Sequence, residues 1–400
     1  MEQRCPLLHE KDNLHGLRAL RYMIKIAFVI DTIASPTAGT EQQLLLLLKH
    51  LDRALYAPWL CVLYPSDWLD REFDLCPLHV ADIRSFKSPR AYRRLWELSR
   101  FFRDMGIDIV QTHFRDSHIA GILAAKLAGI KTVIASRRNQ GYWYTPRELL
   151  LQKLLNRWVT LSIANSRSTK EWMVDVEGVA AERIAVIHNG VSLERFSASR
   201  EVRTRYRSLL GIPEGAPCIG MVANLRSVKG VDVFIKAAPL IKENVPEAQF
   251  LIAGEGAERG RLEQLAAALR LDGSLRFLGR RTDIPQLMSA FDIGVLSSTS
   301  ESLSNSLIEY MAAGLPVVTT EVGGSREAVE DGVTGFIVPV GDYQALAGAV
   351  LRILRDGGLA AAMGAEGKQR AERLFSLHRF IEASERCYRQ HAPLQTGERL

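Results

Sequence analysis

The 400-residue sequence has little cysteine and no long apolar run. Its five cysteines are odd in number and far apart, without a Cys-x-x-Cys pair, which argues against a disulfide framework and a zinc site. No stretch approaches the roughly 18 apolar residues that a membrane-spanning helix requires, and residues 1–22 lack the apolar core of a signal peptide. These absences predict a cytoplasmic protein that can meet a membrane only at its surface.

Charge is unevenly divided between the two halves of the chain, whose formal charge is +6. Residues 1–200 hold 28 Lys and Arg against 21 Asp and Glu, whereas residues 201–400 hold 23 against 24. A basic half attracts an anionic membrane, an anionic small molecule or nucleic acid. No block of Lys and Arg is long enough for a nucleic-acid arm, and we therefore expect no nucleic-acid partner.

Short apolar runs alternate with helical periodicity along both halves, a pattern typical of βαβ units in a parallel sheet. The alternation pauses over residues 189–217, where polar, Gly and Pro signals surround one short helix. We predict an α/β fold of two facing doubly wound, Rossmann-like domains with ligands in the central cleft. The predicted parts are an extension (1–22), an amino domain (23–195), a linker (196–217), a carboxyl domain (218–370) and a helical segment (371–400).

The most informative stretch, SSTSESLSNSLIEYMAAG, covers residues 297–314. A helix that starts near Asn305 would end at the C-cap Gly314, with Pro316 just beyond. Its first backbone N–H groups would be unpaired at the positive end of the helix dipole, where a phosphate binds well. Glu301 precedes that end, and Glu309 lies on the second turn.

Glu301 and Glu309, with seven residues between them, are followed in order by YMAAGLPVV, Gly323–Gly324 and Glu327. This run resembles the retaining nucleotide-sugar glycosyltransferases of the GT-B fold, family four. The resemblance implies that Glu301 holds hydroxyls of the donor sugar and Glu309 the ribose hydroxyls. It also implies that four backbone N–H groups face the diphosphate, those of Ser304, Asn305, Ser306 and Leu307.

Two cations follow the first strand of the carboxyl half. Lys229–Gly230 matches the family's Lys-Gly pair, whereas Ala223–Asn224 stands where the family has Gly-Arg, which makes Arg226 the substitute. Positive charge here would stabilise the leaving diphosphate. The chain has no Asp-x-Asp, the usual metal-chelating pair of the other large glycosyltransferase fold, and we expect no metal and no cofactor.

Three further residues enter through the resemblance. Gly39 belongs to PTAGTEQ, a partial match to the Gly-Gly-x-Glu motif that approaches the donor phosphate in this family. Arg280 follows a segment whose backbone groups contact the nucleotide base in the family. His113 follows a predicted strand and is expected in the cleft, beside the reacting sugar. By itself a lone His is more often structural, and His113 could orient hydroxyls rather than move protons.

Two helices are candidates for the acceptor side. The first, 89–105, carries a surface of basic and aromatic side chains opposite its apolar stripe; this basic surface is Arg93, Trp96, Arg100 and Arg103. A Trp among arginines suits an anionic bilayer. The second helix follows Tyr142, Trp143 and Tyr144. For either helix, an ordinary solvent-exposed face explains the polar and charged residues about as well as an acceptor-binding surface does.

These features predict a retaining glycosyltransferase that moves a hexose-type sugar from a nucleotide-diphosphate sugar to a glycan or lipid-linked acceptor. The expected process is the synthesis of cell-envelope material or exopolysaccharide, on the inner face of the plasma membrane. Alternatives remain at this point. An epimerase or phosphorylase could use the same fold, Gly254–Glu255–Gly256 weakly resembles an NAD-binding fingerprint, and a non-catalytic binding protein is the third alternative.

Overall fold

The computed structural model describes residues 23–36, 39–141 and 144–393. Residues 1–22, Tyr142, Trp143 and the end of the predicted helical segment, residues 394–400, lie outside this part. The described residues form two parallel sheets, one in each half of the chain, of seven and six strands. No helix in the described part is both long and apolar enough to cross a bilayer.

The amino half forms the seven-stranded sheet, ordered β3-β2-β1-β4-β5-β6-β7. All adjacent strands pair in parallel. The strands are β1 Ile24–Ile30, β2 Tyr56–Val62, β3 Leu78–Val80, β4 Ile109–Thr112, β5 Thr132–Arg137, β6 Leu161–Ala164 and β7 Ile184–Val186. The helices are α1 Gly39–His50, α2 Asp67–Glu72, α3 Pro89–Asp104, α4 Arg115–Ala128, α5 Pro146–Leu155 and α6 Arg167–Trp172. The next helix, α7 Arg200–Leu209, lies in the predicted linker and packs against the carboxyl half.

The carboxyl half forms the six-stranded sheet, ordered β10-β9-β8-β11-β12-β13 and parallel throughout. Its strands are β8 Cys218–Val222, β9 Gln249–Ala253, β10 Leu275–Phe277, β11 Ile293–Leu296, β12 Val317–Thr320 and β13 Gly335–Val338. Its helices are α8 Val231–Asn244, α9 Arg259–Ala268, α10 Ile284–Ser289, α11 Asn305–Ala312, α12 Ser325–Ala328, α13 Tyr343–Arg355 and α14 Gly357–Phe375, after which α15 spans Leu377–His391.

Each sheet is covered on both faces, as its nearly uninterrupted apolar strands require. In the amino half, α3, α4 and α5 pack with one face, and α1 packs with the other. The predicted α/β fold of two doubly wound sheets is confirmed. The short elements α2 and β3 were not predicted, because six and three residues are too few for periodicity to reveal.

The last two helices cross between the halves of the molecule. Helix α14 packs against α11, and the predicted boundary at residue 370 therefore falls inside a helix. Helix α15 returns to the amino sheet, where Phe380 and Tyr388 join the core formed by β1 and α1. The Tyr388 hydroxyl donates a 2.7 Å hydrogen bond to Oε1 of Gln111 at the end of β4. The amino core therefore contains residues from both ends of the described chain.

Candidate active site

A cleft of about 480 Å³ lies between the two sheets, at the carboxyl ends of their strands. One wall comes from the amino half: the start of α1 and the segments that follow β4, β5, β6 and β7. The other comes from the carboxyl half: the segments that follow β8, β9, β10 and β11 and the start of α11. This position is the one expected for a ligand site in open parallel sheets.

The start of α11 is open toward the cleft. Ser304 is the N-cap residue, but its side chain caps none of the helix N–H groups. Ser304, Asn305 and Ser306 line the cleft, whereas the Leu307 side chain is buried and can contribute only its backbone. The Ser306 hydroxyl donates to the Val222 carbonyl at 2.8 Å, which fixes this end of the helix beside β8. Uncapped N–H groups at a helix start favour an anion.

Glu301 and Lys229 form an ion pair in the carboxyl wall. The Ser298 hydroxyl donates to the same oxygen, Oε1 of Glu301, at 2.8 Å. Arg226 and Arg280 are exposed side chains that line the cleft. The structure thus brings these four charged residues to the same cleft as the start of α11, with Lys229 and Glu301 fixed against each other.

Glu309 is contacted from across the cleft. Nε2 of Gln42 in α1 donates to its Oε1 at 3.2 Å. Burial raises the pKa of Glu309, while the bond from Gln42 and the charge of Arg195 oppose that rise. A carboxylate that is desolvated in this way gains from donors such as the hydroxyls of a ribose.

Gly39, at the start of α1, meets Asn305 at the start of α11. Nδ2 of Asn305 donates to the Gly39 carbonyl and to Oε1 of Gln42, each at 3.1 Å. These bonds join the two walls, so the cleft is closed at this edge. A Cβ atom at residue 39 would meet Asn305 at an ordinary contact distance, and Gly39 is therefore not required by the protein's own packing.

His113 lies behind the amino wall, with 1% of its surface exposed, and does not line the cleft. Its Nδ1 is buried without a hydrogen-bond partner, and its Nε2 is 3.5 Å from Nε2 of Gln111. Burial, followed by the charge of Arg138, lowers the pKa of His113 to about 3, which keeps the ring neutral. A role beside the reacting sugar remains a prediction, and the buried position favours an orienting role over proton transfer.

Several residues of the amino wall were not predicted. Arg138, Asn165 and Asn189 line the cleft from three separate segments. Asn189 donates from Nδ2 to the Leu303 carbonyl at 3.2 Å and to Oδ1 of Asn305 at 2.7 Å. The available signal was position: each residue closely follows the carboxyl end of a parallel strand.

Among the described residues, no group of three or more His, Cys, Asp or Glu side chains is placed to hold a metal ion. The expectation of a metal-independent reaction is not tested by this finding and remains a prediction.

Comparisons with known proteins agree with the geometry. Residues 202–370 match the family model for glycosyl transferases group 1, and residues 37–195 match that for Glycosyltransferase Family 4. Each match covers less than half of the chain, and together the two span most of it. The two family models divide the chain as the two sheets do.

A curated relative is the Escherichia coli UDP-Gal:alpha-D-GlcNAc-diphosphoundecaprenol alpha-1,3-galactosyltransferase, 28% identical over 73% of this chain and 77% of its own. The D-inositol 3-phosphate glycosyltransferase of Corynebacterium urealyticum is 35% identical, over 48% of this chain and 47% of its own. The crystal structure of Anabaena HepE in complex with UDP and glucose superposes with a TM-score of 0.81 at 22% identity, covering 92% of this chain and all of HepE. That likeness shows the shared GT-B fold, and the chain is a glycosyltransferase enzyme.

Proposed function

We propose that this glycosyltransferase transfers a hexose-type sugar from a nucleotide-diphosphate sugar, with retention of the anomeric configuration. The observation that carries the proposal is the Lys229–Glu301 pair beside the uncapped start of α11. A cation and free N–H groups suit the diphosphate, while the carboxylate suits the sugar hydroxyls. Glu309, on the next turn of α11, is the residue we expect to bind the ribose hydroxyls.

The reaction replaces one bond at the anomeric carbon. The bond from that carbon to the diphosphate oxygen breaks, and the acceptor oxygen bonds to the carbon on the same face. The acceptor proton passes to an oxygen of the leaving diphosphate, following the family's usual account. Lys229, Arg226 and the N–H groups of α11 stabilise the negative charge that develops on the leaving group. No bound metal is assigned a role.

A donor screen and product analysis test this proposal. Thermal shift with UDP, GDP and ADP sugars should reveal one nucleotide that raises the unfolding temperature, because a ligand that binds only the folded state stabilises it. NMR of the product should then show the donor's anomeric configuration. Stabilisation by none of the three nucleotides would contradict the donor assignment, and an inverted product would contradict retention.

We propose a lipid-linked or other cell-envelope acceptor, bound from the amino half. The E. coli relative is named for an acceptor on diphosphoundecaprenol, and the amino half of this chain is basic. The predicted basic surface of α3 is solvent-exposed, and Arg100 lies 5.0 Å from the centre of the Trp96 ring. Exposed apolar side chains of the same helical layer add to it: Tyr92, Leu127, Leu150, Leu151, Leu154 and Trp158. A mixture of cations and exposed apolar groups suits an anionic bilayer.

Some of that positive charge is already compensated. Arg93 is paired with Glu97 at 2.8 Å, and Arg103 donates to the Leu127 carbonyl at 3.1 Å. Changing Arg93, Arg100 and Arg103 to Glu should abolish sedimentation with anionic liposomes, since each cation near such a surface is worth about 1 kcal/mol.

A matched variant carries the same charge change on the carboxyl half, at the exposed residues Arg200, Arg205 and Lys368. It should still sediment with anionic liposomes, and both variants should bind the donor nucleotide normally. A wild-type protein that ignores anionic liposomes at low salt would favour a soluble acceptor.

A further inference from the structure

A guanidinium without a carboxylate partner stands in the amino wall of the cleft. Arg138 follows β5, donates from Nη1 to Oδ1 of Asn189, and lies 5.7 Å from the ring centre of Phe380 in α15. In the described part of the chain, no Asp or Glu forms an ion pair with it. Lys229, in the opposite wall, is paired with Glu301.

Among the residues that the structure describes, two buried polar atoms here have no hydrogen-bond partner: Nε of the Arg138 guanidinium itself and Nδ1 of His113. Burial lowers the pKa of Arg138 to about 10, so that the side chain remains a cation at neutral pH. A buried donor that lacks a partner destabilises the fold. Since the cation is kept in the cleft wall despite that cost, an anionic ligand is the natural partner.

The position of Arg138 indicates where that ligand would lie. The Arg138 carbonyl accepts a 2.6 Å hydrogen bond from the Ser302 hydroxyl, directly after Glu301. Asn189, which accepts from Arg138, also donates to Asn305 at the uncapped start of α11. The guanidinium therefore belongs to the same corner of the cleft as the predicted diphosphate site, on the opposite wall. A planar guanidinium with several donors matches the geometry of a phosphate.

We propose that Arg138 is a phosphate-binding residue that the amino half contributes to the cleft. The inference rests on the proposed function, which supplies two sources of phosphate in this corner: the diphosphate of the donor and the phosphate of a lipid-linked acceptor. A donor phosphate would be held from both walls, by Arg138 on one side and by Lys229 and α11 on the other. An acceptor phosphate would bind Arg138 while Lys229 and α11 hold the donor.

A purely structural role makes a different prediction. If Arg138 only anchors α15 through Phe380, its replacement lowers stability and leaves ligand binding unchanged. Arg138→Lys keeps the charge but loses the planar fork, whereas Arg138→Gln loses the charge. Arg352→Gln is the matched control, because Arg352 is an exposed arginine 4.6 Å from the ring centre of Phe336, outside the cleft.

The experiment is calorimetric titration of the full chain and these variants with inorganic pyrophosphate and with UDP, GDP and ADP, alongside thermal unfolding. Arg138→Gln should weaken pyrophosphate binding about tenfold or more, as the loss of charged hydrogen bonds predicts. Arg138→Lys should lose less, and Arg352→Gln should bind as the wild type does. If nucleotide affinity falls as much as pyrophosphate affinity, the phosphate that Arg138 binds belongs to the donor diphosphate.

The acceptor arm measures KM for a lipid-diphosphate acceptor and for its phosphate-free analogue. If KM rises for the lipid-diphosphate acceptor alone, while nucleotide affinity is unchanged and pyrophosphate binding is weakened, the acceptor phosphate is identified as the group that Arg138 binds. Unchanged pyrophosphate binding and unchanged KM in a folded Arg138→Gln protein would overturn the inference. If the wild type binds none of the nucleotides, the donor proposal fails by itself, and pyrophosphate affinity still decides for or against the Arg138 site.

Discussion

The two walls of the cleft hold their charges differently. In the carboxyl wall, Lys229 is paired with Glu301, and Arg281 is paired with Asp283. The amino wall instead presents the amides of Asn165 and Asn189 and the unpaired guanidinium of Arg138. Paired side chains keep one geometry before a ligand arrives, whereas an unpaired cation depends on the ligand to satisfy it. We therefore expect the Lys229–Glu301 corner of the carboxyl wall to be preorganised for the donor, whereas the exposed Arg226 and Arg280 and the amino-wall Arg138 are completed by what they bind.

The largest expected effect tests the preorganised wall. Lys229→Ala should reduce kcat/KM about a hundredfold, because it removes a fixed cation from the leaving group and leaves Glu301 without its partner. Arg226→Ala should reduce it about tenfold, since this exposed side chain has no fixed partner in the carboxyl wall. Steady-state kinetics with the identified donor measures both. Unchanged turnover in Arg226→Ala would mean that another group, such as Asn224, occupies that role.

A second prediction concerns the backbone of the carboxyl wall. Gly323 has a φ of +46°, and a Cβ atom there would overlap the Glu301 carbonyl oxygen. Gly332 also has a positive φ, +77°, but a Cβ atom there meets nothing within 4 Å. Gly332→Ala should therefore cost about 1 kcal/mol of stability from backbone strain alone, and Gly323→Ala about 3 kcal/mol or more together with most of the activity.

Urea unfolding and donor turnover of the two glycine variants provide the measurement. If the two variants have equal stability and equal activity, the Glu301 loop can shift to accept the added Cβ atom. That result would contradict a preorganised carboxyl wall.

The smallest expected effect concerns two glutamates, Glu309 in α11 and Glu301 in the loop that precedes it. Because burial raises the pKa of Glu309, the folded state favours its protonated form, and stability is lost as pH rises through that pKa. Glu309→Gln should therefore unfold at higher urea than the wild type at pH 8, and the gain should vanish as pH approaches about 4.5.

Nucleotide affinity separates the roles of these glutamates. Glu309→Gln should bind the nucleoside diphosphate about tenfold more weakly, through the loss of charged hydrogen bonds to the ribose. Glu301→Ala should lose sugar turnover and retain nucleotide affinity. Equal losses of nucleotide affinity in the two variants would contradict separate sugar and ribose contacts.

Sequence reasoning reached the carboxyl wall because its most informative part is contiguous in the sequence. Residues 301–309 form a single loop-to-helix segment, and an ordered series of motifs follows it. The amino wall is assembled from residues as distant as 39, 138, 165 and 189, which only the strand order brings together. His113 illustrates the difficulty: it follows β4 as predicted, yet its side chain is buried, and the next residue, Phe114, lines the cleft. Which side chain after a strand faces the cleft depends on the path of the loop, and a lone residue in the sequence does not encode that path.

The return of α15 to the amino sheet has a consequence for synthesis on the ribosome. Tyr388 packs 6.1 Å from the ring centre of Phe28 and 5.9 Å from that of Tyr56, yet it is translated more than three hundred residues after either. The nascent amino sheet must therefore keep the part of its apolar face that α15 covers exposed while the whole carboxyl half emerges and folds. Contacts of such long sequence separation form slowly, and an exposed apolar face invites aggregation. We expect this protein to depend on chaperones until its final helix leaves the exit tunnel, and a nascent chain stalled before residue 377 to be a substrate for them.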